Sequence, residues 1–199
     1  MTQYEKSRPG ASAESGGVPG LPTSHWETGS AAIALRHREV TVPRADRPVS
    51  EALLLGLSGG ITFGYFSFAY EGYDPHVAML CRNTFDPYEK MTERLGATRD
   101  VAKTGSAEKA KKNLTAALEQ GEKPLVWLDL YSLPYNGLPV SDGMWQVYPV
   151  VVLECDLDGD RAVVADRSSR PLELPVSTLL DAWGRVKKER YRLETLDVP

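Results

Sequence analysis

The chain has 199 residues, a net charge of −4, and 42% hydrophobic and 25% charged residues, which suits one folded domain of ordinary size and excludes a wholly disordered or collagen-like chain. No basic block offsets the acidity, so a phosphate-dominated nucleic-acid surface is excluded, and no apolar run approaches the roughly 20 residues that a membrane span needs. The start is polar without the apolar stretch of a secretory leader, and two cysteines, Cys81 and Cys155, make neither a disulfide framework nor a metal cluster. A cytoplasmic protein with no metal and no cofactor is expected.

Residues 1–24 are rich in Gly, Ser, Pro and Ala and cannot bury enough apolar surface to offset their ordering entropy. A disordered arm over 1–24 and one domain over 25–199 are therefore expected. Residues 28–38 (TGSAAIALRHR) space Ala31, Ile33, Ala34 and Leu35 as a short helix, whose small side chains allow tight packing. A Pro-bearing loop spans 40–49, and Ser50 caps a second short helix over 50–56. Segment 56–66 (GLSGGITFGYF) sets four glycines beside Phe63, Tyr65 and Phe66, which predicts a turn that shapes a cleft. It lacks the Lys-Ser/Thr ending of a phosphate loop and the GxGxxG pattern.

Residues 76–80 read as a strand and 86–94 as a helix. A clearer helix spans 106–120, with Ala107, Ala110, Leu114, Ala117 and Leu118 on one stripe and Gly121 ending it. The period then changes. Strands are predicted at 124–131, 148–156 and 161–166, the last two joined as an antiparallel hairpin by a turn at Asp158 and Gly159. Residues 176–185 predict a last helix, and 189–196 an edge strand. Helices followed by antiparallel strands indicate an α+β domain, a helix packed on an antiparallel sheet.

Four segments occur in order: SHWETGSAAIAL (24–35), SEALLLGLSGGITFGYF (50–66), GEKPLVWLDLYSLPY (121–135) and YPVVVLECD…RAVVADRSS (148–169). Together they resemble the N-terminal domain of the butirosin biosynthesis protein H family, over about residues 25–185. The resemblance implies a papain-like cysteine acyltransferase fold. The named member of that family moves an aminoacyl group from a carrier protein onto an aminoglycoside amine. Such a site needs a Cys thiolate to attack the thioester, a His to hold its proton, and a third group to fix the His tautomer.

In the family the Cys follows a His at the start of the first helix, where the helix N-terminus lowers the thiol pKa. The corresponding pair here is His25 and Trp26, and an indole is no nucleophile. The family's His opens a strand, and Tyr148 stands at that position, with Asp156 eight residues later. The acid ending the next strand corresponds to Asp166. The resemblance thus implies a lost nucleophile and a lost base beside a retained orienting acid. It also implies that Trp26, Tyr148 and Asp166 converge.

Asp166, Tyr148 and His25 are the candidate catalytic residues, and Trp26, Glu27, Tyr65, Asp129 and Tyr135 the candidate binding residues. Each has a plainer role beside the functional one. Trp26 fills the former cleft, Tyr148 bonds Asp166 or buries its ring, Asp166 caps a turn or pairs with Arg167 or Arg170, His25 is structural, and Asp129 and Tyr131 pack on the buried strand instead of flooring the cleft. His76 and Cys81 are far from the matched positions, and Cys155 lies between Glu154 and Asp156, which raise a thiol pKa. Thiol chemistry is therefore not expected. Ser24, Thr28 and Ser30 bring hydroxyls near the motif, with His25 available to Thr28.

Three roles remain open. The first is a catalytically degenerate domain that binds a small molecule, an acyl carrier protein or a protein partner in a natural-product pathway. The second is an acyl- or amide-transfer or hydrolytic enzyme with reassigned, non-Cys chemistry, which needs positioning and a general base. The third is a structural subunit of a catalytic homologue. The first is preferred because it accounts for a retained scaffold without Cys and His. Family members often carry a further C-terminal domain, so the resemblance leads to the expectation of a missing substrate wall or one taken from another subunit. Neither nucleic acid nor membrane is expected as a partner, and self-association is left open.

Overall fold

The computed structural model describes residues 22–42, 45–60, 64–69, 71–72, 76–80, 86–139 and 145–198, and for 64–66, Phe68 and 76–80 the backbone only. Among them the elements run α1 (Trp26–His37), α2 (Glu51–Leu57), β1 (Gly64–Phe68), β2 (His76–Leu80), α3 (Pro87–Leu95), β3 (Thr98–Ala102), α4 (Ala107–Glu119), β4 (Leu125–Asp129), β5 (Val147–Asp156), β6 (Arg161–Ala165), β7 (Leu172–Leu174), α5 (Val176–Gly184) and β8 (Leu193–Asp197). β1 and β2 form an antiparallel pair, and the other strands form one antiparallel sheet in the order β3-β8-β4-β5-β6-β7. The fold is α+β.

β4 is buried at all five positions because helices cover both faces of the sheet. On one face Ile33 and Leu35 of α1, Leu54 of α2 and Met91 of α3 pack on Trp127, Val151 and Val163. On the other, Leu114 of α4 and Leu179 and Trp183 of α5 pack on Leu128, Val150 and Val164. The period-2 alternation of β4, β5 and β6 divides their side chains between these two cores.

The small side chains Gly29, Ser30, Ala31, Ala32 and Ala34 bring α1 close to β5. A hydrogen bond ties the two, from Ser30 Oγ to the Pro149 carbonyl at 2.7 Å. A proline inside a strand flanked on both sides requires a reason, since it has no N–H to donate. Trp127, opposite Pro149, donates its N–H to Arg192 on the β8 side. The Trp127–Pro149 pair is therefore a non-hydrogen-bonded one, and the polar groups of Pro149 point away from β4. Pairing of β5 with β6 begins only at Val151 and Ala165. Ser30 supplies the donor that β6 does not.

Three boundaries differ from the sequence expectation. α1 begins at Trp26 instead of residue 28, because the His25 side chain is its N-cap. The strand expected over 124–131 ends at Asp129 and gives way to 3-10 turns at Leu130–Ser132 and Pro134–Asn136. The expected edge strand at 189–196 is β8, which lies between β3 and β4. Its Glu194 is buried by ion pairs with Arg99 and Arg192, which is why a polar-looking segment sits inside the sheet. The expected arm lies outside the described residues over 1–21, and Ser24 donates its N–H to Glu51 at 2.9 Å. Cys81 also lies outside the described residues. Among the described residues no helix is long and apolar enough to cross a membrane.

Candidate functional site

The start of β5, the end of β6, the start of α1 and the turn after β4 meet at one place. Tyr148 opens the buried part of β5, and Asp166 follows the last residue of β6. Val151 pairs with Ala165, so continuing the register puts Asp166 opposite Val150 and diagonal to Tyr148 on the same face. Tyr148 Oη donates to Asp166 Oδ2 at 2.6 Å. Tyr135, from the second 3-10 turn, donates to the same oxygen at 2.9 Å, and its hydroxyl lies 3.3 Å from that of Tyr148. Asn136 Nδ2 reaches Tyr148 Oη at 3.4 Å.

Arg167 completes the group. Its Nε donates to Asp166 Oδ1 at 2.8 Å and its Nη2 to Oδ2 at 3.3 Å. The same guanidinium lies 5.0 Å from the Tyr148 ring centre and 5.6 Å from that of Trp26, within cation–π range. The Trp26 and Tyr148 rings are 5.6 Å apart and tilted by 42°. Trp26, although on α1, thus packs against the α4/α5 core beyond the end of the sheet.

The electrostatics follow from burial. The Asp166 side chain is 1% exposed, yet it faces a guanidinium and two phenols, so its charge is compensated. Burial first, and then the nearby carboxylate, push the Tyr148 hydroxyl well above the usual tyrosine range. Tyr135 is pushed up further, by burial first and then by Tyr148 and Asp166. Both phenols are held as neutral donors. Burial opposes the charge of Arg167, but bonding to Asp166 outweighs it and raises the guanidinium's pKa.

His25 and Glu27 border this group without joining its hydrogen bonds with Asp166. His25 Nδ1 is 2.9 Å from Thr28 Oγ1 and accepts the Thr28 N–H at 3.4 Å. Its Nε2 lies 3.9 Å from the Glu27 carboxylate. Thr28 and Ser30 are each 1% exposed, and the Ser30 hydroxyl is committed to Pro149. Asp129 forms a separate cluster. Its fully buried carboxylate accepts from Ser132 Oγ at 2.7 Å, Gln146 N at 3.0 Å and Arg185 Nη1 at 2.8 Å. Ser132, Arg185, Arg190, Asp181 and Tyr191 line an open cleft of about 470 Å³ on that side, which Trp26, Tyr148 and Asp166 do not line. Tyr65 lies in β1, and its side chain, like that of His76, is outside the described residues. Among the described residues no group of three His, Cys, Asp or Glu side chains is arranged to hold a metal.

Cys155 is half-buried, seven residues along β5 from Tyr148 and so roughly 20 Å away. Burial first and the Asp156 carboxylate second push its thiol up.

The family model for butirosin biosynthesis protein H, N-terminal, matches residues 25–167. The chain belongs to this family. The matched span of this butirosin biosynthesis protein H N-terminal domain runs from the α1 N-cap to Arg167 and includes every residue of the Trp26–Tyr148–Asp166 group. Arg185 and the α5 residues of the open cleft lie beyond it. No curated protein matches the chain.

Two contributors were not among the sequence candidates. Arg167 was legible as a partner for Asp166, but its position over two rings depends on a left-handed backbone, φ +49°, that no sequence pattern marks. Asn136 reaches Tyr148 through the turn that follows Pro134, and the LPYNG run is the signal that could have found it.

Proposed function

We propose that this domain is a catalytically degenerate, papain-like member of its family that binds a small molecule, carrier protein or protein partner in a natural-product biosynthetic pathway. The hydrogen bond from Tyr148 to Asp166 carries this reading. In a Cys–His–acid site the acid orients an imidazole that must take up a proton. Here the acid is saturated by two phenols and a guanidinium, and those phenols are held neutral. Trp26, at the position the resemblance gives to the thiol, sets its ring 5.6 Å from that of Tyr148, tilted by 42°.

One observation favours an enzyme with reassigned chemistry: His25 lies 2.9 Å from the Thr28 hydroxyl, with Glu27 beyond it. The geometry of a local helix cap accounts for the same contacts, since His25 accepts the Thr28 amide as an N-cap, and Thr28 is only 1% exposed.

Incubation with an acyl N-acetylcysteamine thioester and a primary amine tests both. The degenerate domain leaves the thioester intact beyond the buffer rate. Turnover by the wild-type chain that Thr28→Val abolishes would establish the second reading instead. The double variant Trp26→Cys, Tyr148→His supplies a positive control, because its new thiol at the start of α1 should be alkylated by iodoacetamide faster than Cys155.

A further inference from the structure

We infer that Arg167 is an internal occupant of a cation cage, and that the cage formed by Trp26, Tyr148 and Asp166 accepts the alkylguanidinium group of a small-molecule ligand in its place. This rests on the reading of the site as a binding site. Two aromatic rings at 5.6 Å and a buried carboxylate converge on one point, and a planar cation already fills it. Rings supply their negative faces and the carboxylate supplies a charge and two acceptor atoms, a combination that suits a guanidinium fork.

Three features separate this pairing from an ordinary buried ion pair. The Asp166 side chain is 1% exposed, but the Arg167 side chain is 26% exposed, so the cation is reached from solvent while the anion is not. The Arg167 backbone lies at φ +49°, a left-handed region that disfavours residues other than glycine, so the pairing is held at the cost of a strained backbone conformation. Arg167 also stands on the irregular stretch after β6, outside the sheet's hydrogen bonding, whereas Trp26, Tyr148 and Tyr135 are fixed by α1, β5 and a turn. Displacing Arg167 leaves Asp166 Oδ1 without a donor, because the tyrosines both bond Oδ2. An incoming guanidinium restores that bond and the charge balance.

The test uses n-propylguanidinium, with n-propylurea as the neutral isostere and n-propylammonium as the point charge. Arg167→Ala, in the full chain, should bind propylguanidinium roughly tenfold or more tighter than propylurea and tighter than wild type does. The readout is a rise in thermal midpoint together with a change in tryptophan fluorescence. Adding Asp166→Asn should remove that preference. Equal binding of the guanidinium and the urea by Arg167→Ala would overturn the proposal. Should that variant fail to fold, the wild-type chain labelled with 15N-arginine decides. Propylguanidinium must then move the Arg167 Nε–H resonance toward that of a solvent-exposed arginine, and propylurea must not; an unmoved resonance overturns the proposal. Thioester turnover is read separately, so loss of the degenerate reading leaves a distinct result from loss of the cage.

Discussion

Tyr148 and Asp166 sit at diagonal positions on two antiparallel strands and are joined by a hydrogen bond of 2.6 Å. The bond is nearly water-free, with Tyr148 at 1% exposure and Asp166 at 5%. Asp166 therefore depends on protein donors for its solvation, and each donor has a defined role in stability. In a protein interior an acceptor carrying a full charge is more sensitive to a lost donor than a neutral one.

Tyr148→Phe removes one hydroxyl and leaves the ring packing with Trp26 in place. It is expected to lower unfolding free energy by about 2 kcal/mol, the usual range for hydrogen bonds to charged groups. Tyr135→Phe should cost less, because its bond to Asp166 is longer, 2.9 Å. Urea unfolding of both single variants and the double variant gives the coupling between them. A coupling near zero would mean that the two phenols do not share one acceptor in solution.

The same phenols set an alkaline limit. Their pKa values are raised in the folded chain, so the native state holds protons that the unfolded state releases. The resulting stability is fully present below the unfolded tyrosine pKa of about 10 and is lost as pH rises beyond it. Unfolding free energy should therefore fall from about pH 10 upward, more steeply in wild type than in Tyr135→Phe, Tyr148→Phe. Parallel slopes for the two proteins would contradict the assignment.

How much of this was legible follows from the residues. Strands β5 and β6 and helix α4 declare themselves through apolar density and spacing, whereas spacing puts the start of α1 two residues late and only the family motif at His25 and Trp26 marks it. β3 does not, because TRDVA is mostly polar and its pairing with β8 is set by Arg99 reaching Glu194 and Asp86. β7 is only three residues long, too short for a period to show. In the site, Trp26, Tyr148 and Asp166 were visible as matched positions. Asp129 was singled out for the cleft floor, yet its partner Arg185 is 56 residues away on the end of α5 and no local pattern joins them.

Glu194 anchors the other side of the sheet. Its carboxylate is wholly buried and takes Arg99 and Arg192, while those arginines also hold Asp86 and Glu189. Arg192 lies 4.1 Å from the Trp127 ring centre, which ties the network to the core. Glu194→Gln keeps the shape and removes the charge, so two partly buried guanidinium groups lose a shared anion. A loss of about 3 kcal/mol is expected, at the lower end for a broken buried pair because each arginine keeps a second acid. Asp86 and Glu189 are partly buried, which opposes ionisation, but bonding to Arg99 and Arg192 holds their pKa values below the usual range. Their stabilisation is thus present above the unfolded carboxylate pKa of about 4 and is lost as pH falls through the lowered folded values. Chemical denaturation between neutral pH and pH 3 should show a shallower acid loss in Asp86→Asn than in wild type.

Ser30→Ala tests how the sheet tolerates Pro149. Register with Trp127 turns the Pro149 carbonyl away from β4, and β6 pairing starts two residues later, so no strand donates to that carbonyl. The Ser30 hydroxyl does so at 2.7 Å from within α1, where the side chain is 1% exposed. Alanine favours the helix by a few tenths of a kcal/mol and fits the same space, so any propensity effect is stabilising. The orphaned carbonyl acts the other way, since a buried acceptor left without a donor costs about 1–3 kcal/mol. Net destabilisation of about 1–2 kcal/mol is expected by that difference. Ser30→Thr keeps the hydroxyl but adds a methyl group to a packed helix face, so it should lose stability by crowding. Ser30→Cys offers a weaker donor of similar shape and should fall between serine and alanine. An alanine variant as stable as wild type in urea would show that another donor reaches the Pro149 carbonyl, and the explanation of a proline within this strand would fail.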